Sequence, residues 1–270
     1  TASGRGGRVT AQDITAYLEA RNTYRPQTPA PQPSPSTAPG GSRRIPHSAI
    51  RKRIAAHMVE SMAAPHVTTL FEADLTRIVA HRARHLKAFE SRGVKLTYTA
   101  YFVAAAVKAL QAVPEVNARF HDDALELFSD CNVGVGTALG NEGLIVPVLH
   151  RAQTLDLFGI AQRLGEMVST ARQGKLAPEA VRGGTFTISN HGVSGSLLAA
   201  PIVINQPQVA IMGIGKLERR VVVDEVDGQD AIRVKPMCYI TLTLDHRALD
   251  AFQANAFLSK VVDTLQTWPD

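Results

Sequence analysis

The chain has 270 residues, 45% of them apolar, so it is long enough to bury one sizeable core with a smaller piece beside it. Its 29 basic and 24 acidic residues are interspersed, and with only 6% aromatic residues this composition argues against a nucleic-acid-binding protein. No run of about 18 apolar residues occurs, so the sequence predicts no membrane-spanning helix. Cys131 and Cys238 form no C-x-x-C pair, which favours buried structural thiols in a reducing compartment.

The first 42 residues divide into a short helical piece and a tether. Within 1–22, Thr10 precedes Asp13 by three positions, a helix start like a capping box, and apolar residues follow at helical spacing. A helix of this length cannot bury enough surface to be stable alone. Residues 23–42 alternate Pro with Ala, Ser and Gln, which predicts a flexible linker, either a swinging arm or a plain spacer.

From residue 43 onward the composition is that of a globular domain, and we predict an α/β two-layer fold over 43–270. Apolar periodicity predicts helices over 49–62, 76–92, 99–113, 155–172 and 252–265. Alternating or short apolar runs predict strands over 66–74, 132–139, 144–149, 185–189, 209–215, 221–223, 231–234 and 238–244. Asp227-Gly228 is a hairpin signal.

The first candidate for chemistry is the run Asp245-His246-Arg247. It stands between a β-rich run and an amphipathic helix, where functional side chains are often found. An imidazole exchanges protons near neutral pH, so His246 is the obvious general base. Taken alone, such a triplet is more often a surface histidine between salt-bridged neighbours.

The second candidate is Ser189, in the segment GGTFTISNHG at 183–192. At the end of a strand its hydroxyl can donate a hydrogen bond to an oxyanion, although Ser-Asn before Gly is also ordinary turn chemistry. No G-x-S-x-G elbow surrounds it, so a hydrolase triad with His246 and Asp250 is not indicated. No zinc-ligand spacing occurs, and residues 133–136 lack the ending of a phosphate-binding loop.

A series of segments then decides between these readings. They read RIPHSAIRKRIAAHM, PHVTTLFEADLT, KLTYTAYFVAAAVKAL, VPEVNARF, NEGLIVPVL, GGTFTISNHGVSGS, PIVINQPQVAIMGIG and LTLDHRALD. In this order they resemble the catalytic domain of the dihydrolipoamide acyltransferases, the core components of 2-oxo acid dehydrogenase complexes. Residues 3–21 resemble the second half of that family's peripheral subunit-binding domain. The resemblance implies a partial peripheral subunit-binding domain over 1–22, a flexible Pro/Ala linker over 23–42 and the catalytic domain over 43–270.

The resemblance also implies a chloramphenicol-acetyltransferase-like fold and transfer of an acyl group between dihydrolipoamide and coenzyme A. The family's D-H-R-x-x-D motif falls on His246 and Asp250, and its hydroxyl position falls on Ser189. By that match His246 deprotonates the attacking thiol, Ser189 stabilises the tetrahedral intermediate and Asp250 is an ion-paired supporting residue. We predict Arg53 or Arg51 as the partner of Asp250, and no metal.

The same resemblance implies a homotrimer whose active site lies between two subunits, with the histidine from one and the serine from the next. Such trimers assemble into 24- or 60-subunit cores that bind decarboxylase and dihydrolipoamide dehydrogenase components, with no nucleic acid and no membrane. Coenzyme A is a substrate, and the lipoyl group is carried on a lipoyl domain absent from this chain. The expected location is a bacterial cytoplasm, and a mitochondrial matrix is compatible.

Some features depart from the family pattern. Ala251 stands where the family usually has Gly, 218–236 is some residues longer than usual, and the subunit-binding module lacks its first helix. The alternatives are a non-catalytic core scaffold and, less favoured, a free-standing acetyltransferase acting on a small hydroxyl acceptor. The run GVSGSLLAAPIVINQPQ resembles the succinyl-transferring branch, and acetyl and branched-chain acyl groups stay open.

Overall fold

The computed structural model describes residues 2–3, 5–22, 42–139 and 143–270. The chain divides into two compact units, Thr1–Ser48 and Ala49–Asp270. Nearly all of the predicted linker, and residues 140–142 of the turn predicted between two strands, lie outside the described residues. In the described ranges no helix combines the length and the apolar character needed to cross a membrane.

The first unit contains helix α1, Ala11–Asn22, which begins at the predicted cap. The Asp13 carboxylate accepts hydrogen bonds from the Thr10 N–H at 2.8 Å and from the Thr10 hydroxyl at 2.9 Å. The Asp13 N–H in turn donates to the Thr10 hydroxyl at 3.3 Å, so both ends of a capping box are formed. The apolar stripe of α1 is exposed, at Ile14, Tyr17 and Leu18. This unit therefore leaves one helix face unburied.

The second unit contains the remaining regular structure. Its α-helices are α2 Ala49–Ser61, α3 Thr76–Glu90, α4 Tyr98–Ala112, α5 Leu157–Arg172 and α6 Ala251–Gln266. Its strands are β1 His66–Asp74, β2 Ala118–Phe120, β3 Leu125–Leu127, β4 Val133–Val135, β5 Thr137–Ala138, β6 Leu144–Ile145, β7 Val148–Leu149, β8 Phe186–Asn190, β9 Ala210–Ile214, β10 Glu218–Val226 and β11 Gln229–Asp245. The five helices predicted after residue 43 are all present, each within two residues at either end.

One mixed sheet dominates this unit. Its strand order is β1-β11-β9-β8-β4-β7, and β10 also pairs with β11. β8 runs parallel to β4 and β9, whereas β11 runs antiparallel to β1, β9 and β10. The pairs β2–β3 and β5–β6 form small separate sheets.

Helices cover one face of the sheet. α4 is apolar nearly all round, and most of its side chains are buried, as its composition predicted. α6 packs against β1 and β11, and the ring centroid of its Phe257 lies 5.4 Å from that of Phe186 in β8. Burying each of these aromatic side chains stabilises the fold by roughly 1.5–3 kcal/mol. The predicted α/β two-layer architecture is confirmed.

The strand predictions after residue 220 were wrong in one respect. The sequence suggested three short strands, but β11 continues without a break through Pro236. The N–H and C=O of a strand residue point to the same edge, and the Pro236 carbonyl accepts a hydrogen bond from the Leu75 N–H at 2.8 Å. The missing N–H of Pro236 therefore faces the end of β1, and the β10–β11 ladder loses nothing.

Two other predicted strands divide and one hairpin was missed: the strand predicted over 144–149 separates into β6 and β7. The strand predicted over 132–139 divides into β4 and β5, because the chain leaves the main sheet after Gly136, whose N–H still donates to the Ile188 carbonyl of β8 at 2.9 Å, and then pairs with β6. The short β2–β3 hairpin was not predicted, since three-residue strands carry too little alternation to be recognised.

Candidate active site

Ser189 is next to last in β8, on the face of the sheet away from the helices. Side chains alternate along a strand, and Phe186, three residues earlier, points into the helical core. Ser189 is in register with Gly213 of β9, which is in register with Thr241 of β11. The Ser189 Oγ lies 3.0 Å from His191 Nε2, within hydrogen-bonding distance.

The loop that contains Leu197 and Ala199 lies on this face beside Ser189, and Gly213 and Gly215 leave room for it because they have no side chains. A Cβ on Gly213 would overlap the Thr241 hydroxyl, and a Cβ on Gly215 would overlap the Leu197 carbonyl oxygen. The Thr241 hydroxyl donates a hydrogen bond to the Ala199 carbonyl at 2.9 Å. The loop therefore forms a fixed wall next to the serine.

Asn190, the neighbour of Ser189, faces the helices instead. Its Nδ2 donates to the Thr99 hydroxyl at 3.0 Å, which ties the end of β8 to the start of α4. Asn190 also borders a cavity of about 720 Å³ between α4, α5 and β4, which Lys95 and Arg172 also line. Ser189 itself does not line this cavity.

His246 follows β11 directly, and its orientation is fixed by two backbone carbonyls. Its N–H donates to the Pro65 carbonyl at 2.8 Å, and its Nδ1 lies 2.9 Å from the Leu249 carbonyl oxygen. A carbonyl can only accept, so Nδ1 carries a hydrogen and the neutral ring keeps a free lone pair on Nε2. The side chain is exposed. This is the arrangement that a general base requires.

The residues on either side of His246, Asp245 and Arg247, form an ion pair with each other. Asp245 is buried and accepts hydrogen bonds from Arg247 Nε at 3.0 Å and Nη2 at 2.7 Å. These hydrogen bonds raise the pKa of Arg247. The guanidinium carbon of Arg247 lies 4.5 Å from the ring centroid of Phe120. The ion pair in the D-H-R run is therefore present, and it fixes the turn that carries the histidine.

Asp250 is the N-cap of α6. Its Oδ1 accepts a hydrogen bond from the Phe252 N–H at 2.7 Å, and its own N–H donates to Gln253 Oε1 at 3.2 Å. Within the described ranges Arg53 makes no ion pair with Asp250, and the pairing with Arg51 stays a prediction. Ala251 is the first residue of the helix, so its Cβ meets no conformational penalty.

Ser189 and His246 do not meet within one chain. Ser189 is level with Thr241 across the sheet, and His246 comes five residues after Thr241. A rise of about 3.3 Å per residue and two strand spacings of about 4.8 Å place the two Cα atoms about 19 Å apart. That separation exceeds the combined reach of the two side chains.

Neither cysteine is placed to act as a nucleophile. Cys131 and Cys238 are both buried and free. Burial raises the pKa of Cys131 to about 11 and that of Cys238 to about 12. A thiol that stays protonated and buried is inert, which agrees with the structural role predicted for both.

Comparison with known proteins shows the family of this chain. The model of the family described as 2-oxoacid dehydrogenases acyltransferase (catalytic domain) matches residues 39–269. The chain belongs to this acyltransferase family. The family resemblance read from the ordered segments is therefore confirmed.

Individual relatives support the assignment to the acyltransferase family. A succinyltransferase component of the 2-oxoglutarate dehydrogenase complex from Rickettsia bellii is 38% identical over 98% of this chain and 64% of its own length. An acetyltransferase component of the pyruvate dehydrogenase complex from Corynebacterium glutamicum is 35% identical over 99% of this chain and 41% of its own length. The chain thus spans less than two thirds of these relatives.

A solved structure of this acyltransferase family shares the fold. The dihydrolipoamide acetyltransferase of Azotobacter vinelandii has a TM-score of 0.80 and 29% identity, covering 88% of this chain and 97% of that one. That structure addresses the catalytic roles of a serine, a histidine and an asparagine four positions after the histidine.

The sequence named Ser189, His246 and Asp250 but missed the groups that orient them. The Leu249 carbonyl that fixes the imidazole is a backbone atom, and no residue type signals it. His191 had no predicted role, although it lies two residues after Ser189, because its contact with the serine depends on the turn after β8. The alternation along β8 was the available signal that Ser189 and its neighbour at 190 face opposite sides.

Proposed function

We propose that this chain transfers an acyl group between dihydrolipoamide and coenzyme A, as the core component of a 2-oxo acid dehydrogenase complex. The observation that carries the proposal is the orientation of His246, whose Nδ1–H is committed to the Leu249 carbonyl so that Nε2 is free to accept a proton. Family membership supports the reaction, because the relatives are named as succinyl- and acetyltransferase components of such complexes.

In the proposed step, His246 Nε2 accepts the proton of the attacking thiol, and the resulting thiolate attacks the thioester carbonyl carbon. The carbonyl oxygen becomes an oxyanion, to which the Ser189 hydroxyl donates a hydrogen bond. When the intermediate collapses, the carbon–sulfur bond to the other thiol breaks, and that thiolate takes the proton back from His246. Thioester exchange is nearly balanced in energy, so positioning and one donor carry much of the rate.

We propose that each active site is built from two copies of the chain, with Ser189 from one and His246 from the next. The separation of about 19 Å within one chain supports this arrangement. A homotrimer has three such interfaces, and it would assemble into a 24- or 60-subunit core that binds decarboxylase and dihydrolipoamide dehydrogenase components. The helix of 1–22 would then be part of a peripheral subunit-binding domain, joined by the 23–42 linker to the catalytic domain of 43–270.

The acyl group proposed is succinyl. The 38% identity to a succinyltransferase component exceeds the 35% identity to an acetyltransferase component, and acetyl and branched-chain acyl groups are the competitors to test. Both relatives come from bacteria, which supports a bacterial cytoplasm over a mitochondrial matrix.

The second candidate is a core scaffold without catalysis. The only feature of the sequence that favoured it was Ala251, where the family usually has Gly. Ala251 occupies the first helical position of α6 behind an intact cap, so it leaves the His246 turn undisturbed. The enzyme is therefore favoured over the scaffold.

The experiment is a thiol-exchange assay with free dihydrolipoamide and, in separate reactions, succinyl-, acetyl- and isobutyryl-coenzyme A. We expect turnover fastest with the succinyl thioester and a loss of about 10²- to 10⁴-fold in His246→Ala, as is typical when a general base is removed. His150→Ala is the matched control, because His150 is also exposed and follows a strand of the same sheet. A folded wild type that turns over none of the thioesters would favour the scaffold.

A further inference from the structure

β10 and the first half of β11 form a two-stranded ribbon that projects past the rest of the sheet. β10 pairs with β11 from Glu218↔Met237 to Val226↔Gln229, whereas β1 pairs with β11 only from Met237 onward. Residues 218–236, which we call the ribbon, thus have no third strand beside them among the described residues.

One face of the ribbon is anchored to the body of the domain by ion pairs. Arg220 bonds to Glu72 of β1 and to Glu218, and its guanidinium carbon lies 4.0 Å from the ring centroid of Tyr239. Lys235, opposite Arg220 on the same face, bonds to one carboxylate of β10 and one of β1: its Nζ lies 2.7 Å from Asp224 and 3.0 Å from Asp74. This face is occupied by contacts within the chain.

The opposite face is apolar and exposed. Two cross-strand pairs form it, Val221↔Val234 and Val223↔Ile232. The exposed fractions are 68% for Val221, 63% for Val223, 78% for Ile232 and 52% for Val234. Four adjacent β-branched side chains open to water form a contiguous patch, and such patches mark interaction sites. They also suit packing against another β-surface.

Charges stand at both ends of this apolar face. Arg219 lies at the end nearest the sheet, and Glu225 and Asp230 lie opposite each other at the tip. All three are exposed, and none of them makes an ion pair within the part of the chain that the structure describes. The face is therefore positive at its base, apolar in the middle and negative at its tip.

We infer that this face is a contact between two copies of the chain, packed face to face and antiparallel about a two-fold axis. In that arrangement the apolar pairs of one ribbon cover those of the other, and Arg219 of each copy meets the Glu225 and Asp230 end of its mate. A parallel arrangement would instead place Arg219 of one copy against Arg219 of the other and the two acidic tips against each other. This repulsion between like charges disfavours the parallel arrangement.

The patch is too small to hold two single chains together. Four side chains fall well short of the ~800 Å² per partner of a standard stable interface. We therefore infer that the contact joins copies that already belong to the proposed homotrimers, on which this step rests, so that several ribbons act together and raise the effective affinity. It does not depend on the proposed acyl transfer, because the ribbon lies at the opposite end of β11 from His246.

The test is sedimentation velocity on the full chain over a concentration series. In the double variant Val223→Lys/Ile232→Lys we expect the largest species to disappear and the association midpoint to rise about tenfold or more, as when central contact residues are lost. Gln229→Lys is the control, because it adds a lysine to the other face of the same ribbon. Thiol exchange is measured on the same samples, so a failure of catalysis is distinguished from a failure of assembly.

A charge exchange tests the antiparallel geometry. We expect Arg219→Glu to shift the distribution toward smaller species, and Arg219→Glu/Glu225→Arg/Asp230→Arg to restore it, because every contact is then reversed in sign. An unchanged distribution in Val223→Lys/Ile232→Lys would leave the face to a different partner and overturn the inference. A triple variant that stays as dissociated as Arg219→Glu overturns it as well.

Discussion

The Asp250 carboxylate accepts the Phe252 N–H of the helix that it starts, and Gln253 completes the capping box. The sequence had predicted that Asp250 forms an ion pair with Arg53 or Arg51. The cap accounts for an oxygen-bearing side chain at this position without any cationic partner. It also places the N-cap of α6 four residues after His246, so the cap and the turn that carries His246 are one local structure.

Asp250 yields a prediction that separates the two roles. Asparagine caps a helix about as well as aspartate, so Asp250→Asn should leave the free energy of unfolding nearly unchanged, whereas Asp250→Ala should lower it by about 1 kcal/mol. Urea denaturation measures both variants. If Asp250→Asn lost as much stability as Asp250→Ala, the charge itself would matter, and the predicted ion pair with Arg51 would regain support.

At this scale the sequence supplied residue types but not orientations. His246 and Ser189 were candidates because an imidazole and a hydroxyl group stood at strand ends, and the family resemblance made both of them predicted catalytic residues. The direction of Nε2 depends on the Leu249 carbonyl, and the face of Ser189 depends on the register of β8 against β9. Backbone atoms and registers are set by tertiary packing, so single-residue reasoning cannot supply them.

Between helices α3 and α4 lies an aromatic cluster near the C-terminus. His81 Nδ1 is 2.7 Å from the Tyr101 hydroxyl, and the His81 ring stacks on His85 at a centroid distance of 4.2 Å. Trp268 lies edge-on to Tyr101 at 5.0 Å. Burial lowers the pKa of His81, and the neighbouring His85 and Arg84 lower it further.

This cluster predicts a dependence of stability on pH. The pKa of His81 is lower in the folded chain than its ordinary value of 6.5, so the unfolded chain binds the proton more readily. Stability due to neutral His81 is present above pH 6.5 and is lost as pH falls below it. Thermal unfolding between pH 7.5 and 5.5 should show a smaller loss in His81→Gln than in the wild type. Equal losses in both proteins would contradict this account.

Among the elements, the helices and the edge strand β1 were predictable, and the ribbon and the shortest strands were not. Helix α4 is apolar over nearly its whole length, and α6 alternates between faces at a period that the sequence shows directly. The ribbon was expected only as a longer surface hairpin. The sequence predicted separate strands on either side of Pro236, and the end of β1 at Asp74 explains why β11 continues through this proline.

At the scale of the whole molecule, the two halves of the proposed site lie at different ends of one sheet. The serine is level with Thr241 and the histidine lies beyond the end of β11, about 19 Å away by strand geometry. Acyl transfer requires base and oxyanion donor on the same thioester, within a few ångströms of each other. If Ser189 and His246 have the proposed roles, catalysis therefore requires a second copy of the chain to supply the missing group.

The most direct test of this claim is complementation between Ser189→Ala and His246→Ala, co-expressed in equal amounts and assayed for thiol exchange. Each variant alone should be nearly inactive. In randomly mixed oligomers one half of the chains keep Ser189 and the other half keep His246, so about a quarter of the interfaces unite both groups and restore about a quarter of wild-type turnover. If the mixture is no more active than the two variants alone, the site does not lie between copies and the central claim is wrong.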